Sequence, residues 1–387
     1  MPDCLFKPKN PEEFLVEEIA PNGKVLEIGG SFSEADFQEL KQVRGAEGRG
    51  KFAWFVLQKT NWNTSQALAE LAGRMRIART RFDFAGNKDR IAVTTQLCSC
   101  FAGDRQKIMD VGNQIKDLKV LGTFQAWDKV KMGFLAGNRF TVQLTKENCG
   151  LEPAEVLARI EKNFAAGKGR VPNFFGSQRF GSVRKNTADV GELLLKGDWQ
   201  AAAMNYLTFS DENERDAESR EARKRLAEEK DFKAALDYFP RHLKYERTML
   251  GWLANNPTDF AGALRKLPRS LALLFVHAFQ AKLFNEVLQK KIEEGGLAET
   301  GEGETANIVG YESELSEEEN VLLEKHGLSK EVFLIKGMPE LSSKGTARPM
   351  AVLLKDFEIL EKEPVKIRFS LPSGSYATVA VDWILLH

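Results

Sequence analysis

The residues best placed to do chemistry are one carboxylate and its two neighbours. Asp89 stands between Lys88 and Arg90 in the stretch Phe84–Gln96, FAGNKDRIAVTTQ. Ala85, Gly86 and Asn87 lead into it with the small and turn-forming residues of a tight turn. From Ile91 the pattern is that of a strand, with Ile91, Val93 and Thr95 alternating against Ala92, Thr94 and Gln96. Asp89 is therefore expected at the mouth of a strand, on a turn held by rigid structure, with two cations favouring its ionised form. A charged carboxylate beside positive charge suits attack on, or stabilisation of, a substrate bound through phosphates. Taken alone, a Lys-Asp-Arg turn is more often a solvated surface feature. A guanine-binding NKxD box fails on spacing, because position 90 is Arg, and the chain has no GxxxxGK[ST] phosphate loop.

The elements around this turn must come from a chain of 387 residues, enough for two domains, with an apolar fraction of 43% that supports ordinary globular cores. The net charge of zero hides an uneven distribution. Residues 73–90 carry Arg74, Arg76, Arg79, Arg81, Lys88 and Arg90 against Asp83 and Asp89. Residues 168–185 carry Lys168, Arg170, Arg179, Arg184 and Lys185 with no acid, whereas 293–319 holds ten glutamates and no Lys or Arg. The arginines near Arg76 have a structural explanation as cations at a helix C-terminus as well as an RNA-binding one. Cys4, Cys98, Cys100 and Cys149 are too few and scattered for a disulfide framework or a zinc site, and Cys98 and Cys100 read as small core residues. The N-terminal stretch has no apolar signal core, and the longest apolar run, Leu271–Ala278, is too short to span a bilayer. These features lead to the expectation of a soluble, cytoplasmic protein.

In chain order, FLVEEI and KVLEIGG read as strands about an Asn22-Gly23 turn, and FAWFVL (52–57) as a strand buried on both faces. Asn63 or Thr64 caps a helix to about Ile77 that buries Leu68, Leu71 and Met75. A helix-like stretch covers Asp104 to Lys116, and GFLAGNRFTVQL (133–144) gives a Gly-Asn turn and a strand. Pro153 opens a helix with the stripe Val156, Leu157, Ile160 and Phe164. VPNFFGSQRFG (171–181) is a glycine-hinged loop whose phenylalanines and arginine suit stacked bases and phosphates as well as they suit a plugged core. From about 186 to 290 the chain reads as helical, with Asp211–Asp231 a solvated helix and Phe275, Phe279, Leu283 and Val287 a core ladder. Beyond Pro364 two strands are expected, VKIRFSL and YATVAVDWILL. Strands at both ends with helices between them predict one sheet-based domain interrupted by a helical insertion.

In this order the motifs resemble the TruD family of tRNA pseudouridine synthases. The matching stretches are NPEEFLVEE, LQKTNWNT, FAGNKDRIAVTTQ, GFLAGNRFTVQL, VPNFFGSQRFG, HAFQAKLFN and VKIRFSLPSGSYAT, which span nearly the whole chain. The resemblance implies an α+β fold: a split catalytic domain, 1–170 and 345–387, with a mixed, mostly antiparallel sheet, and a mostly helical family-specific domain inserted at 171–344. It implies isomerisation of uridine to pseudouridine in tRNA, typically at uridine 13, without metal or organic cofactor, with RNA in the cleft between the domains. A monomer is the expected state, which the sequence leaves open.

By the same resemblance Asp89 is the catalytic aspartate, attacking the ribose C1′ or base C6 or abstracting a proton after glycosidic cleavage. Phe140 is the aromatic that packs on the target base, and Asn138 is its companion. Asn87, Lys88 and Arg90 would flank the carboxylate, the two cations contacting phosphate. Phe174, Phe175, Gln178, Arg179, Phe180 and Arg348 would line the RNA site. The sequence departs from the family's pattern at Pro8, where a lysine is usual and Lys7 and Lys9 lie on either side. It departs again at Asp382-Trp383, where an Arg-Glu pair is common. The competing reading is a non-catalytic RNA-binding or tRNA-folding protein on the same scaffold, against which the intact FAGNKD motif argues.

Overall fold

The computed structural model describes residues 5–181, 183–211, 214–297 and 303–386. The chain divides into two compact units, one running up to Val171 and resuming at Val352, the other Pro172–Ala351.

The first unit is built on an eight-stranded sheet. Its strands are β1 (Phe14–Ile19), β2 (Phe52–Thr60), β3 (Phe82–Phe84), β4 (Val93–Phe101), β5 (Leu118–Ala126), β6 (Gly137–Leu144), β7 (Lys355–Lys362) and β8 (Val365–Pro372). The order is β7-β8-β6-β1-β4-β2-β5, with β3 pairing on β4. Only β1 and β4 run parallel among these pairs; the other ladders are antiparallel.

Register decides which residues share a face. Val16 is the partner of Thr94, Lys59 of Thr94, Glu18 of Asn138, and Val16 of Phe140. One face therefore carries Phe55, Leu57 and Lys59 on β2, Thr94, Gln96 and Cys98 on β4, Phe14, Val16 and Glu18 on β1, and Asn138 and Phe140 on β6. At one end of this face pack α1 (Thr64–Met75) and α2 (Arg105–Gly112), burying Leu68, Leu71 and Met75 against Phe55, Leu57 and Cys98. At the other end α3 (Pro153–Ala166) and α4 (Ala377–Leu386) bury Val156, Ile160, Val381 and Ile384 against Phe14, Val142 and Phe369. Each large side chain so enclosed contributes about 1.5–3 kcal/mol. Between the two helical layers the face is polar. The opposite face of β2, β4 and β5 buries Trp54, Val56, Leu97 and Phe124 under the segment holding Leu26, Phe37 and Val43.

KVLEIGG forms only an isolated bridge, Val25 to Ile19, and then a turn rather than a strand. Three further expectations need correction in this unit. YATVAVDWILL forms the helix α4, not a strand. Its buried positions Ala377, Ala380, Val381, Ile384 and Leu385 follow helical spacing, and packing on the sheet outweighs the β-branched composition. Gly137-Asn138 is the start of β6 rather than a turn, because Asn138 is paired with Glu18 and Leu371 on both sides. The second boundary falls after Ala351, not at 345, because Thr346–Pro349 pairs with Thr305–Ile308 in the second unit. Gly137 is glycine for steric reasons: a Cβ there would overlap the Leu371 carbonyl oxygen. Gly137→Ala is expected to lower stability by about 1–3 kcal/mol, read from the denaturant midpoint at unchanged slope.

The second unit is mostly helical, centred on Arg269–Gly295, whose Phe275, Phe279 and Leu283 are buried among Leu194, Ala203, Leu250 and Phe333. By length and composition this helix could cross a membrane, although the uninterrupted apolar run within it is short; 56% of its most apolar window is buried within the protein. The segment expected to be a solvated helix is Ala217–Glu229, and one side of it is not solvated. Arg223 is buried, 2.9 Å from Glu246 Oε1 and 3.4 Å from Glu214 Oε1, and donates to Leu207 O. The acidic stretch supplies the strand Thr305–Ile308 and a helix, Glu317–Lys325, opened by a reciprocal Ser316–Glu319 cap; its residues 298–302 lie outside the described residues.

Candidate active site

The turn from Ala85 to Ile91 hangs over the polar centre of the sheet and is anchored at nearly every residue. Gly133 N donates to Ala85 O at 2.7 Å, and Gln96 Nε2 donates to Gly86 O at 3.2 Å. Lys88 N donates to Thr64 Oγ1 at 3.1 Å, and that hydroxyl donates to Gln96 Oε1 at 2.9 Å. Lys59 Nζ donates to Lys88 O at 3.4 Å and to Asp89 O at 2.9 Å. Ala92 N closes the turn on Arg90 O at 2.9 Å, and β4 begins only at Val93, leaving Ile91 47% exposed ahead of it. Asp89 is exposed, as are Asn87 and Arg90. A flexible sequence, FAGNKD, is thus fixed by Thr64 at the start of α1, by Gln96 on β4 and by Lys59 on β2.

Lys88 does not flank the carboxylate as a solvent-facing cation. Its ammonium turns inward to within 2.8 Å of Glu18 Oε2 and donates to Asn138 Oδ1 at 2.6 Å. The Lys88 and Glu18 side chains are 5% and 0% exposed. Glu18 Oε1 accepts Leu97 N at 3.0 Å. A buried carboxylate on β1 demands a counter-charge, and the lysine satisfies that demand before any phosphate. Because an ammonium only donates, the oxygen of Asn138 must face it, which directs the amide nitrogen of Asn138 elsewhere. Phe140, two residues on along the same face, is 6% exposed, with its ring 5.9 Å from Phe14 and 5.7 Å from Phe369.

Lys59 and Glu18 were not singled out from the sequence. Their signal is parity: Phe55, Leu57 and Lys59 alternate along β2, and Phe14, Val16 and Glu18 along β1, so each ionisable group falls on a core-facing position. Lys59 is 0% exposed, and burial pushes its ammonium down to about 8, against the opposing pull of Asp89. Burial also pushes the Cys98 and Cys100 thiols up, in keeping with their place in the core. Among the described residues no three His, Cys, Asp or Glu side chains gather as a metal would require.

The turn that carries Asp89 is joined through Lys88 to Asn138, on the strand that also holds Phe140. A carboxylate, an amide and an aromatic ring are groups that can hold a planar base and exchange a proton or a covalent bond with it. A family model described as tRNA pseudouridine synthase D (TruD) matches residues 7–312 and 304–382. The chain belongs to the TruD family. A Methanococcoides burtonii protein named Probable tRNA pseudouridine synthase D is 33% identical over 91% of this chain and 92% of its own. One of the same name from Methanopyrus kandleri is 35% identical over 87% and 86%. The crystal structure of a TruD protein from Methanosarcina mazei superposes with a TM-score of 0.72 at 31% identity, covering 99% of this chain and 93% of its own. The protein is an isomerase, a tRNA pseudouridine synthase with the TruD α+β fold.

In the second unit of this TruD enzyme the phenylalanine loop is tied down by its own motif partners. Asn285 Oδ1 accepts Phe175 N at 2.8 Å, and Asn285 Nδ2 donates to Phe175 O at 3.0 Å. Arg348, expected to line the RNA site, is buried: it donates to Asn173 O and to Asn173 Oδ1, and its guanidinium lies 4.2 Å from the Phe175 ring. Phe174 and Phe175 are buried as well, so these three residues shape the loop from inside. Gln178 is exposed and Arg179 and Phe180 are half-buried on the short turn Ser177–Phe180, with Arg179 5.3 Å from the Phe175 ring.

Both departures from the TruD pattern also have a place. Lys7 and Lys9 are both exposed. Asp382 Oδ1 accepts Phe6 N at 2.9 Å, so the aspartate in the altered pair fastens the N-terminal segment to α4, while Trp383 packs against the core beneath.

Proposed function

We propose that this enzyme converts uridine 13 of tRNA to pseudouridine, with Asp89 as the reacting carboxylate on a uridine lifted out of its stack. In the isomerisation the N1–C1′ bond breaks, a C5–C1′ bond forms, the C5 proton leaves and N1 gains one, so no oxidant, reductant or second substrate is needed. The base must turn between the two bonds while still held, which a uridine inside a helix cannot do. The observation that carries this reading is the construction of the turn: Asp89 is exposed while the backbone on both sides of it is hydrogen-bonded into the sheet. A group held in this way reaches a bound substrate without first being ordered.

Beneath it, Phe140 packs on the base. Asn138, whose oxygen is taken by Lys88, meets a uracil carbonyl with its amide nitrogen. Arg90 and Arg179 take phosphates, as do arginines elsewhere when their forks face RNA. Asn87 and Gln178, both exposed, and the half-buried Phe180 add further contacts.

The test is pseudouridine mapping on tRNA transcripts incubated with the wild-type protein and no added cofactor. One modified uridine at position 13 is expected. Modification at another position overturns the target, and no pseudouridine on any transcript overturns the activity.

A further inference from the structure

Lys59 is a lysine where the strand pattern calls for an apolar residue. It continues the Phe55, Leu57 alternation on the inner face of β2 and has no exposed surface. A structural lysine in such a place pairs with a carboxylate. Lys59 feels the charge of Asp89 and gives its N–H donors to three backbone carbonyls: Trp62 O at 2.6 Å, Asp89 O at 2.9 Å and Lys88 O at 3.4 Å. Trp62 belongs to the loop between β2 and α1, while Lys88 and Asp89 belong to the turn that carries the exposed carboxylate. The number of donors on an ammonium equals the number of acceptors gathered round it.

We infer that Lys59 is the positioning residue of the reaction, fixing the backbone of Asp89 against the β2–α1 loop so that the carboxylate meets the ribose or base in one orientation. This rests on the assignment of Asp89 above. The hydrogen bonds of Lys59 go to main chain and its side chain is buried, so it acts through Asp89.

The arrangement has a pH signature. A neutral amine keeps two donors for three carbonyls and releases one of them. The ionisable groups that bear on Lys59 are Asp89, which favours its proton, Lys88, which opposes it, and Cys98 on β4; the loop Asn61–Asn63 carries none. With burial holding Lys59 near 8, the rate is full below that pH and falls as pH rises through it. Stability moves the other way. The folded value lies below the unfolded one, so the unfolded chain binds more protons between them and this group's contribution to stability rises with pH. A falling rate therefore cannot come from unfolding driven by Lys59.

The experiment is single-turnover pseudouridine formation with wild type, Lys59→Met and Lys59→Arg, alongside tRNA binding, between about pH 6.5 and 9. Lys59→Met is expected to lower the rate constant about a hundredfold while tRNA affinity stays within about threefold, the result of a misplaced rather than missing group. Lys59→Arg, which cannot lose its charge in this range, is expected to recover at least a tenth of the wild-type rate and to lack the alkaline decline. A Lys59→Met protein with a rate within about threefold of wild type overturns the inference, and so does an alkaline decline unchanged in Lys59→Arg. Should Lys59→Met not fold, the Lys59→Arg profile decides in the same two directions. A wild type that makes no pseudouridine removes the proposed function and this inference together, whereas an active wild type beside an equally active Lys59→Met removes only the inference.

Discussion

Asp89→Asn is expected to lower the rate of pseudouridine formation by about a thousandfold or more and to leave tRNA affinity within about threefold. Asparagine has nearly the shape of aspartate, and the turn is held through the backbone of its neighbours and the Lys88 side chain, so the loop should keep its conformation. What is lost is the basic carboxylate oxygen, which every role proposed for Asp89 requires: attack on C1′, attack on C6, or removal of a proton. Single-turnover assays with excess enzyme separate this loss from any change in binding. A variant that turns over at a tenth of the wild-type rate would show that the carboxylate is not the reacting group, and the next group to test would have to be sought among the exposed residues around it. A variant that no longer binds tRNA would show that Asp89 holds the substrate rather than transforming it.

Lys88→Met is expected to carry the largest cost in stability, about 3–5 kcal/mol, because it leaves Glu18 buried without its counter-charge. The backbone bond from Leu97 to Glu18 remains, but one hydrogen bond does not replace an ion pair at a side chain with no exposure. Lys88→Met combined with Glu18→Leu is expected to recover most of that loss, since removing both charges removes the uncompensated one. Activity should not recover with it. Asn138 loses the ammonium that fixes which way its amide points, so the double variant folds with an unoriented amide beneath the base. Urea unfolding of the four proteins of the cycle, with assays on each, measures both effects. Additive stabilities, with no coupling between positions 18 and 88, would show that the pair is not an ion pair in solution.

These two expectations divide between what was legible in the sequence and what was not. The order and type of the motifs determined the family and with it the α+β class, since turns, caps and alternation are local properties. Asn63 caps α1, Pro153 opens α3, and β2 is apolar on both faces because both are covered. Asp89 is legible locally only as a carboxylate on a turn, which taken alone is more often a solvated feature; its expected role comes from the resemblance of the whole motif order. YATVAVDWILL misled because β-branched residues are read as strand unless a sheet face is there to take a helix.

The direction in which each charge points was decided only by the tertiary structure. Lys88 and Arg90 flank Asp89 equally in sequence, yet Lys88 is drawn inward by Glu18, seventy residues away, while Arg90 stays in solvent. Arg348 looked like a wall for RNA and instead braces Asn173 and Phe175 from within. Lys59, inconspicuous in LQKTNWNT, becomes the group that holds the Asp89 backbone, because the β2–β4 register brings it under a turn thirty residues ahead of it. Sequence spacing fixes what a side chain can offer. Which partner claims it depends on which buried charges and carbonyls folding leaves most in need of one, and that is a long-range balance of desolvation against pairing.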